Sequence, residues 1–278
     1  MDSGLKQRLI TGVLLIAAVL LGVLLLPNSL FSVAALIVFI SLAGWEWARL
    51  VDLQELKQGL FVVALLFVGL LVYVWGDLRW AAIVIGVLAW LGALVLLAMY
   101  EKGTDLYRQQ SWLLRIAAFL ILIPAWIAIV TLHRHYPALV LYLIFLVAIA
   151  DSGAYFTGKA FGKHKLAPQL SPGKTREGAL GGLAGVAVWS VLGAWFFGLS
   201  ASDSVYFIIL SLAAGILSVS GDLFESLVKR EAGMKDSGTI LPGHGGVLDR
   251  VDGLLATLPL FTLGIFWGGI LENLQVLS

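Results

Sequence analysis

Four aspartates in the second half of the chain stand where a carboxylate is costly. Asp151 lies in AIADSGAYF, Asp222 in VSGDLFESLVKR, and Asp249 and Asp252 in VLDRVD, each inside or at the edge of a long apolar run. Glu46, in GWEWARL, is in the same position earlier in the chain. A charge at the centre of a bilayer costs roughly 3 kcal/mol on insertion scales, and less near the interface. One such group can reach water by itself, but several on one side are better explained by a shared wet cavity. Hard oxygen ligands without Cys or His favour Mg2+, which keeps its waters and binds phosphates through one or two carboxylates. The chain has no cysteine, which excludes disulfides, thiolate metal sites and a cysteine nucleophile. Its four histidines do not form a zinc pattern: there is no HExxH, and His133 and His135 fall on the opposite side from the carboxylates.

Spacing adds detail. Asp222, Glu225, Ser226 and Lys229 recur at i, i+3, i+4 and i+7, so they share one helix face. That face reads either as part of a polar site or as an amphipathic helix end with an internal Glu–Lys pair. Asp249 and Asp252, at i and i+3 of a helix start, bind a cation or cap the helix. Asp151 belongs to a polar site, or its neighbours Ser152 and Gly153 serve helix packing. Two polar loops accompany these groups. In SPGKTREG, Gly173 and Gly178 allow tight turns, Lys174 brings charge, and Ser171 and Thr175 bring hydroxyls. Backbone N–H groups in such turns make phosphate nests, though the P-loop spacing is not met. The other reading is a basic loop on anionic lipid. In LPGHGGVLDRVD, Gly243, Gly245 and Gly246 surround His244, which suits backbone that approaches a ligand or takes positive φ. His244 itself is a phosphate donor or a turn histidine bonded to backbone. Carboxylates for Mg2+, cations for phosphate charge, Gly-rich turns and an apolar bundle together suit phosphoryl or nucleotidyl transfer to a lipid.

The elements that must position these groups are membrane spans. Of 278 residues 60% are hydrophobic and 13% charged, with a mean hydropathy of +0.98, against about 25% charged in soluble domains. Net charge is +1, so nothing points to nucleic acid. A span needs roughly 20 apolar residues, and nine runs qualify: 9–26, 30–48, 59–76, 80–100, 112–132, 137–157, 179–199, 204–225 and 252–272. The first has no small-residue cleavage site and reads as a retained span. The runs are too long for barrel strands, so the fold class is all-α, a polytopic transmembrane bundle. With a cytoplasmic N-terminus, the inside segments hold nearly all Lys and Arg, while the outside ones hold Arg79 and Arg134. Arg115 lies just inside the cytoplasmic start of the fifth span. The polar loops at 158–178 and 226–251 both fall inside. We read one membrane-embedded domain over 1–278, with 1–135 mainly scaffold and 136–278 the catalytic half.

SLVKREAGMKDSGTILPGHGGVLDRVD, Ser226 to Asp252, resembles the signature of the CDP-diacylglycerol synthase (phosphatidate cytidylyltransferase) family, bacterial type. That pattern runs Ser-x-apolar-Lys-Arg, four residues, Lys-Asp, then Pro/Gly-x-His-Gly-Gly, apolar, x, Asp-Arg, apolar, Asp. Ser226, Lys229, Arg230, Lys235, Asp236, His244, Gly245, Gly246, Asp249, Arg250 and Asp252 meet its fixed positions. ADSGAYFTGKAFGKHKLAPQLSPGKTREG and GWEWARL resemble two further regions of the family. Arg176 departs, since an aromatic or aliphatic residue is more usual there.

The resemblance implies that CTP and phosphatidate give CDP-diacylglycerol and pyrophosphate. It implies a Mg2+ requirement with K+ associated with the metal centre, and a homodimer in the bacterial inner membrane with its site facing the cytoplasm. By the same analogy Asp222 and Asp249 are the metal carboxylates. Lys174, Lys229, Arg230, Lys235 and Arg250 then neutralise phosphate charge, Asp151 and Asp252 orient the basic groups, and Asp236 and His244 complete the catalytic set. Ser171, Gly173, Lys174, Thr175, Ser226, Gly245 and Gly246 join Asp151 and Asp252 as substrate-binding positions. Other readings of such a chain are weaker. A secondary transporter predicts inverted repeats and midplane sites. A CTP-using lipid kinase would release CDP, and the Asp-rich helix motif of CDP-alcohol phosphotransferases is absent.

Overall fold

Leu, Val, Ile, Ala and aromatic residues in runs of this length satisfy their backbone in lipid only as helices, and helices are what forms. A computed structural model of the chain describes residues 3–102 and 111–270. The last two residues of the ninth expected span, 271–272, and the loop cation Arg108 lie outside them. The order is α1 (Ser3–Leu25), α2 (Asn28–Leu36), a π-helical stretch (Ile37–Leu42), α3 (Ala43–Leu50), α4 (Glu55–Val74), α5 (Gly76–Glu101), α6 (Ser111–His135) and α7 (Pro137–Phe161). A hairpin follows, β1 (Lys165–Ala167) and β2 (Ser171–Thr175), then α8 (Arg176–Phe196), α9 (Ala201–Glu231) and α10 (Leu248–Trp267). The second expected span is thus one helix, Asn28–Leu50, with a π-helical stretch in its middle.

Among the described residues, eight of these helices are long and apolar enough to cross a membrane; α1 contributes the shorter apolar helix Ile10–Leu25. The molecule is a polytopic helical bundle. Its buried centre holds Trp90, Trp126, Phe207 and Phe261. α10 packs on α5, α6 and α9. Trp90 Nε1 donates to Leu255 O at 3.0 Å and Thr262 Oγ1 to Ala128 O at 3.4 Å, so the second half of the chain is tied to the first. α7 and α8 meet along small residues. A Cβ on Gly153 would stand 3.1 Å from Gly181 O and from Gly182 Cα, which supports the packing reading of that stretch.

Two departures from expectation matter for the site. Residues 171–175 are not a turn but the second strand of an antiparallel hairpin, with Lys165 opposite Thr175 and Ala167 opposite Ser171. Carboxylates fix it from both sides. Glu101 accepts from Gln169 N and Leu170 N at 3.1 Å each, and Glu177 accepts from Lys163 N, His164 N and His164 Nδ1. α8 starts at Arg176 rather than 179 because Thr175 Oγ1 caps it, accepting from Gly178 N at 3.1 Å. α9 continues six residues beyond its expected end, so Ser226, Lys229 and Arg230 are helical.

Candidate functional site

The hairpin, the C-terminal ends of α7 and α9 and the start of α10 enclose a cavity of about 670 Å3. α7 contributes Asp151, Tyr155 and Lys159; β2 contributes Ser171, Gly173, Lys174 and Thr175. α9 contributes Asp222, Glu225 and Lys229, the loop after it Asp236, and α10 Asp249, Arg250 and Asp252. With Leu166 of β1 and Gly178 and Ala179 of α8, residues from four helices, both strands and a loop meet in one chamber at one face of the bundle.

Two charge groups share it. In the first, Lys174 Nζ lies 2.6 Å from Asp222 Oδ2. Asp151 and Asp252 are within electrostatic reach of both Asp222 and Lys174, so three carboxylates face one lysine with Arg250 nearby. Ser226 Oγ donates to Asp222 Oδ1 at 3.5 Å. In the second, Lys229 Nζ donates to Glu225 Oε2 and to Asp249 Oδ1, both at 2.7 Å. The shared helix face thus forms as the spacing requires, with the internal Glu–Lys pair and the polar site both present on it.

Asp249 is held in place by its own loop. Its Oδ2 accepts from Ser237 N at 3.1 Å, Ser237 Oγ at 2.9 Å and Gly246 N at 2.8 Å. Gly243 and Gly245 take positive φ of 75° and 81°, conformations that favour glycine, and turn the chain back into α10. A Cβ at Gly246 would collide with Ser237 Oγ and both Glu46 oxygens. The glycines therefore serve close approach of backbone to carboxylates of the protein itself.

Glu46 is the residue whose role sequence spacing could not reveal. It is fully buried, and it accepts from Val247 N at 3.0 Å, Leu248 N at 2.8 Å and Ser237 Oγ at 3.1 Å. A carboxylate from α3 thus satisfies orphan N–H groups at the start of α10, where the helix dipole favours an anion. Its sequence signals were a charge inside an apolar run and the family-like GWEWARL around it; its partners lie about two hundred positions away. We expect Glu46→Ala to cost about 2–4 kcal/mol, because two buried N–H groups lose their acceptor. Glu46→Gln, which keeps one carbonyl oxygen, should cost less. Thermal unfolding of the purified variants in detergent checks both, and equal stability for all three proteins would remove this role.

Several expected residues stand outside the cavity wall. Arg230 donates from Nε to Leu170 O at 3.4 Å and braces the hairpin. Lys235 is exposed on the loop. Gly245 and Gly246 act through the turn. His244 departs most from the phosphate-donor expectation. Its N donates to Leu241 O, its O accepts from Arg250 Nε at 3.0 Å, and its ring lies against Gly12 of α1. Its buried Nδ1 has no partner among the described residues. His244 is not among the residues that line the chamber, and its main chain, rather than its ring, makes the hydrogen bonds of the turn.

The carboxylate oxygens on the chamber wall differ in how many partners they already have. Among the described residues Asp249 Oδ1 accepts one hydrogen bond, from Lys229 Nζ. Asp222 has one strong partner and one at the limit of hydrogen-bond length. The buried Glu225 Oε1 has no partner among the described residues. No group of three or more His, Cys, Asp and Glu is gathered as a ready metal centre among those residues. An ion that takes one or two carboxylates and completes its shell with water and phosphate needs none.

Comparison with known proteins identifies the family. The model of the cytidylyltransferase family matches residues 6–267. A phosphatidate cytidylyltransferase of Haemophilus influenzae is 38% identical, over 95% of this chain and 99% of its own length. Those of Pseudomonas aeruginosa and Bacillus subtilis are 38% and 33% identical, over 95% and 94% of this chain and 97% and 98% of theirs. With a family match over nearly all of its length and relatives aligned end to end, the chain belongs to the cytidylyltransferase family.

Proposed function

We propose that the chain transfers the cytidylyl group of CTP to phosphatidate, giving CDP-diacylglycerol and pyrophosphate. The observation that carries this reading is the polar chamber set in an apolar bundle, with carboxylates and cations from three helices, a strand and a loop on its wall. A phosphate oxygen of phosphatidate attacks the α-phosphorus of CTP; the new P–O bond forms as the bond from the α-phosphorus to the bridging oxygen breaks. Pyrophosphate leaves with that electron pair. The lipid phosphate is already an anionic nucleophile, so no covalent enzyme intermediate is required.

Positioning and charge neutralisation then supply most of the rate. Lys174, carried on β2, contacts the triphosphate in exchange for its pairing with Asp222. Arg250 neutralises charge from the start of α10, and Lys229 holds Asp249 and Glu225 in register. Asp151 and Asp252 orient these cations, and Ser171 and Thr175 lie beside them on the strand. Asp222 and Asp249 would hold Mg2+. When bound, Mg2+ neutralises charge on the departing pyrophosphate. The acyl chains reach the chamber sideways between helices, since the bundle surface around it is apolar.

The near-exclusive placement of Lys and Arg on one side supports an inner-membrane orientation with the chamber toward the cytoplasm. The family resemblance is the ground for proposing a homodimer. Purified protein supplied with CTP, phosphatidate and Mg2+ should release pyrophosphate in equal amount to the lipid product. Chelation should stop turnover, and restored Mg2+ should recover it. Release of CDP instead would identify a kinase, and no turnover with full CTP and lipid binding would remove the reading.

A further inference from the structure

α4 and α6 begin at the same face of the bundle as the chamber, because the spans between them alternate in direction. Their first turns border a second cavity, of about 400 Å3, that shares no residue with the first. Leu60 and Phe61 of α4 and Ile116 and Phe119 of α6 form apolar walls, with Phe61 and Phe119 edge to face at 5.4 Å. Leu53 and two cations, Lys57 and Arg115, complete the lining, and among the described residues no acidic side chain does. Arg115 stands within the apolar helix rather than beyond its end. Among the described residues its buried Nε has no hydrogen-bond partner and its guanidinium forms no ion pair. A buried donor without an acceptor is unfavourable by about 1–3 kcal/mol, and more when charged. At the interfacial start of a span such a group can reach the headgroup layer, where an anionic partner is available.

We propose that this groove binds the phosphate headgroup of an anionic membrane phospholipid, one that is not the substrate. Lys57 is exposed and reaches the headgroup from the water side, while Arg115 meets the phosphate from below. Arg is suited to bidentate phosphate contact, and its weaker hydration lowers the cost of holding it at depth. Leu60, Ile116 and Phe119 then lie against the first carbons of the acyl chains. Basic pockets between spans bind anionic headgroups by this combination. The argument uses only the groove and does not depend on the reaction proposed above.

The test is native mass spectrometry of the full chain in detergent, titrated with phosphatidylglycerol, phosphatidylcholine or phosphatidate. Wild type should retain phosphatidylglycerol over phosphatidylcholine. Lys57→Gln and Arg115→Gln should each weaken retention about fivefold, the size expected for one cation near an anionic lipid surface. Lys57→Glu, at an exposed position that does not bear on folding, should weaken it further. Inorganic phosphate and glycerol 3-phosphate should not compete, and turnover at saturating phosphatidate should stay unchanged in the Lys57 variants. Equal retention by wild type and all variants would overturn the proposal. Displacement by free phosphate would make the groove a soluble-anion site instead. Preference for phosphatidate with a raised lipid KM in Lys57→Gln would make it a substrate port.

Discussion

Asp249→Asn and Asp222→Asn should each lower kcat for cytidylyl transfer by at least about a thousandfold while leaving folded, membrane-inserted protein. Loss of one group that stabilises developing charge costs 10²–10³ in rate, and loss of an ion bound through that group adds to this. The two substitutions act differently. Asp222 is partly exposed, and among the described residues it is bonded to Lys174 and, at 3.5 Å, to Ser226 alone, so its amide should cost little stability. Asp249 Oδ2 accepts three hydrogen bonds, and an amide nitrogen placed there would oppose Ser237 N, Ser237 Oγ and Gly246 N. Asn can present its carbonyl oxygen to those three donors, which sets its NH2 against Lys229 Nζ and removes a charge the lysine needs. Asp249→Asn should therefore lower thermal stability measurably, and Asp222→Asn should not. Lys174→Ala provides the contrast: it should raise the KM for CTP more than that for phosphatidate. Steady-state kinetics with each substrate varied decide the matter. Near-normal turnover in either aspartate variant would remove that residue from the metal assignment.

The apolar runs made the bundle readable, because lipid leaves helices as the only economical outcome for such segments. The polar side chains within them made the site readable, because a carboxylate does not persist at membrane depth without a reason. Spacing also placed Asp222, Glu225, Ser226 and Lys229 on one face, where they lie. What could not be read was long-range pairing. Nothing near Glu46 announces that it caps α10, since its partners are backbone N–H groups that any sequence would offer. The hairpin at 165–175 was hidden for a related reason. It is two short strands held by Glu101 and Glu177, and Gly173 and Pro172 within β2 argue against a strand on propensity. His244 could not be placed from spacing either: the turn with positive φ at Gly243 and Gly245 sets it beside Gly12 of α1, a neighbour more than two hundred positions away. The division into a scaffold half and a catalytic half crosses the same ground, since Glu46 of the first half fixes the loop that presents Asp249.

Lys229→Met should be the most destabilising substitution in the site, at about 3–5 kcal/mol, the usual cost of removing one partner from a buried ion pair. The Lys229 side chain is 13% exposed, that of Glu225 5% and that of Asp249 8%, and both carboxylates lie 2.7 Å from its Nζ. Removal of the ammonium leaves two carboxyl groups facing each other out of water. Lys229→Arg should not restore the site, because a planar guanidinium cannot replace a compact ammonium that bonds two carboxylates at this distance. Stability and catalysis can be separated by a second substitution. Glu225→Gln in the Lys229→Met background removes one of the two stranded charges, so the double variant should regain much of the lost stability. It should not regain turnover, because Asp249 still lacks the cation that holds Oδ1. Thermal unfolding and pyrophosphate release on the two single variants and the double variant complete the cycle. Additive stability losses would show that Lys229 and Glu225 are not coupled as the distances require. Recovered turnover would show that Lys229 contributes only folding.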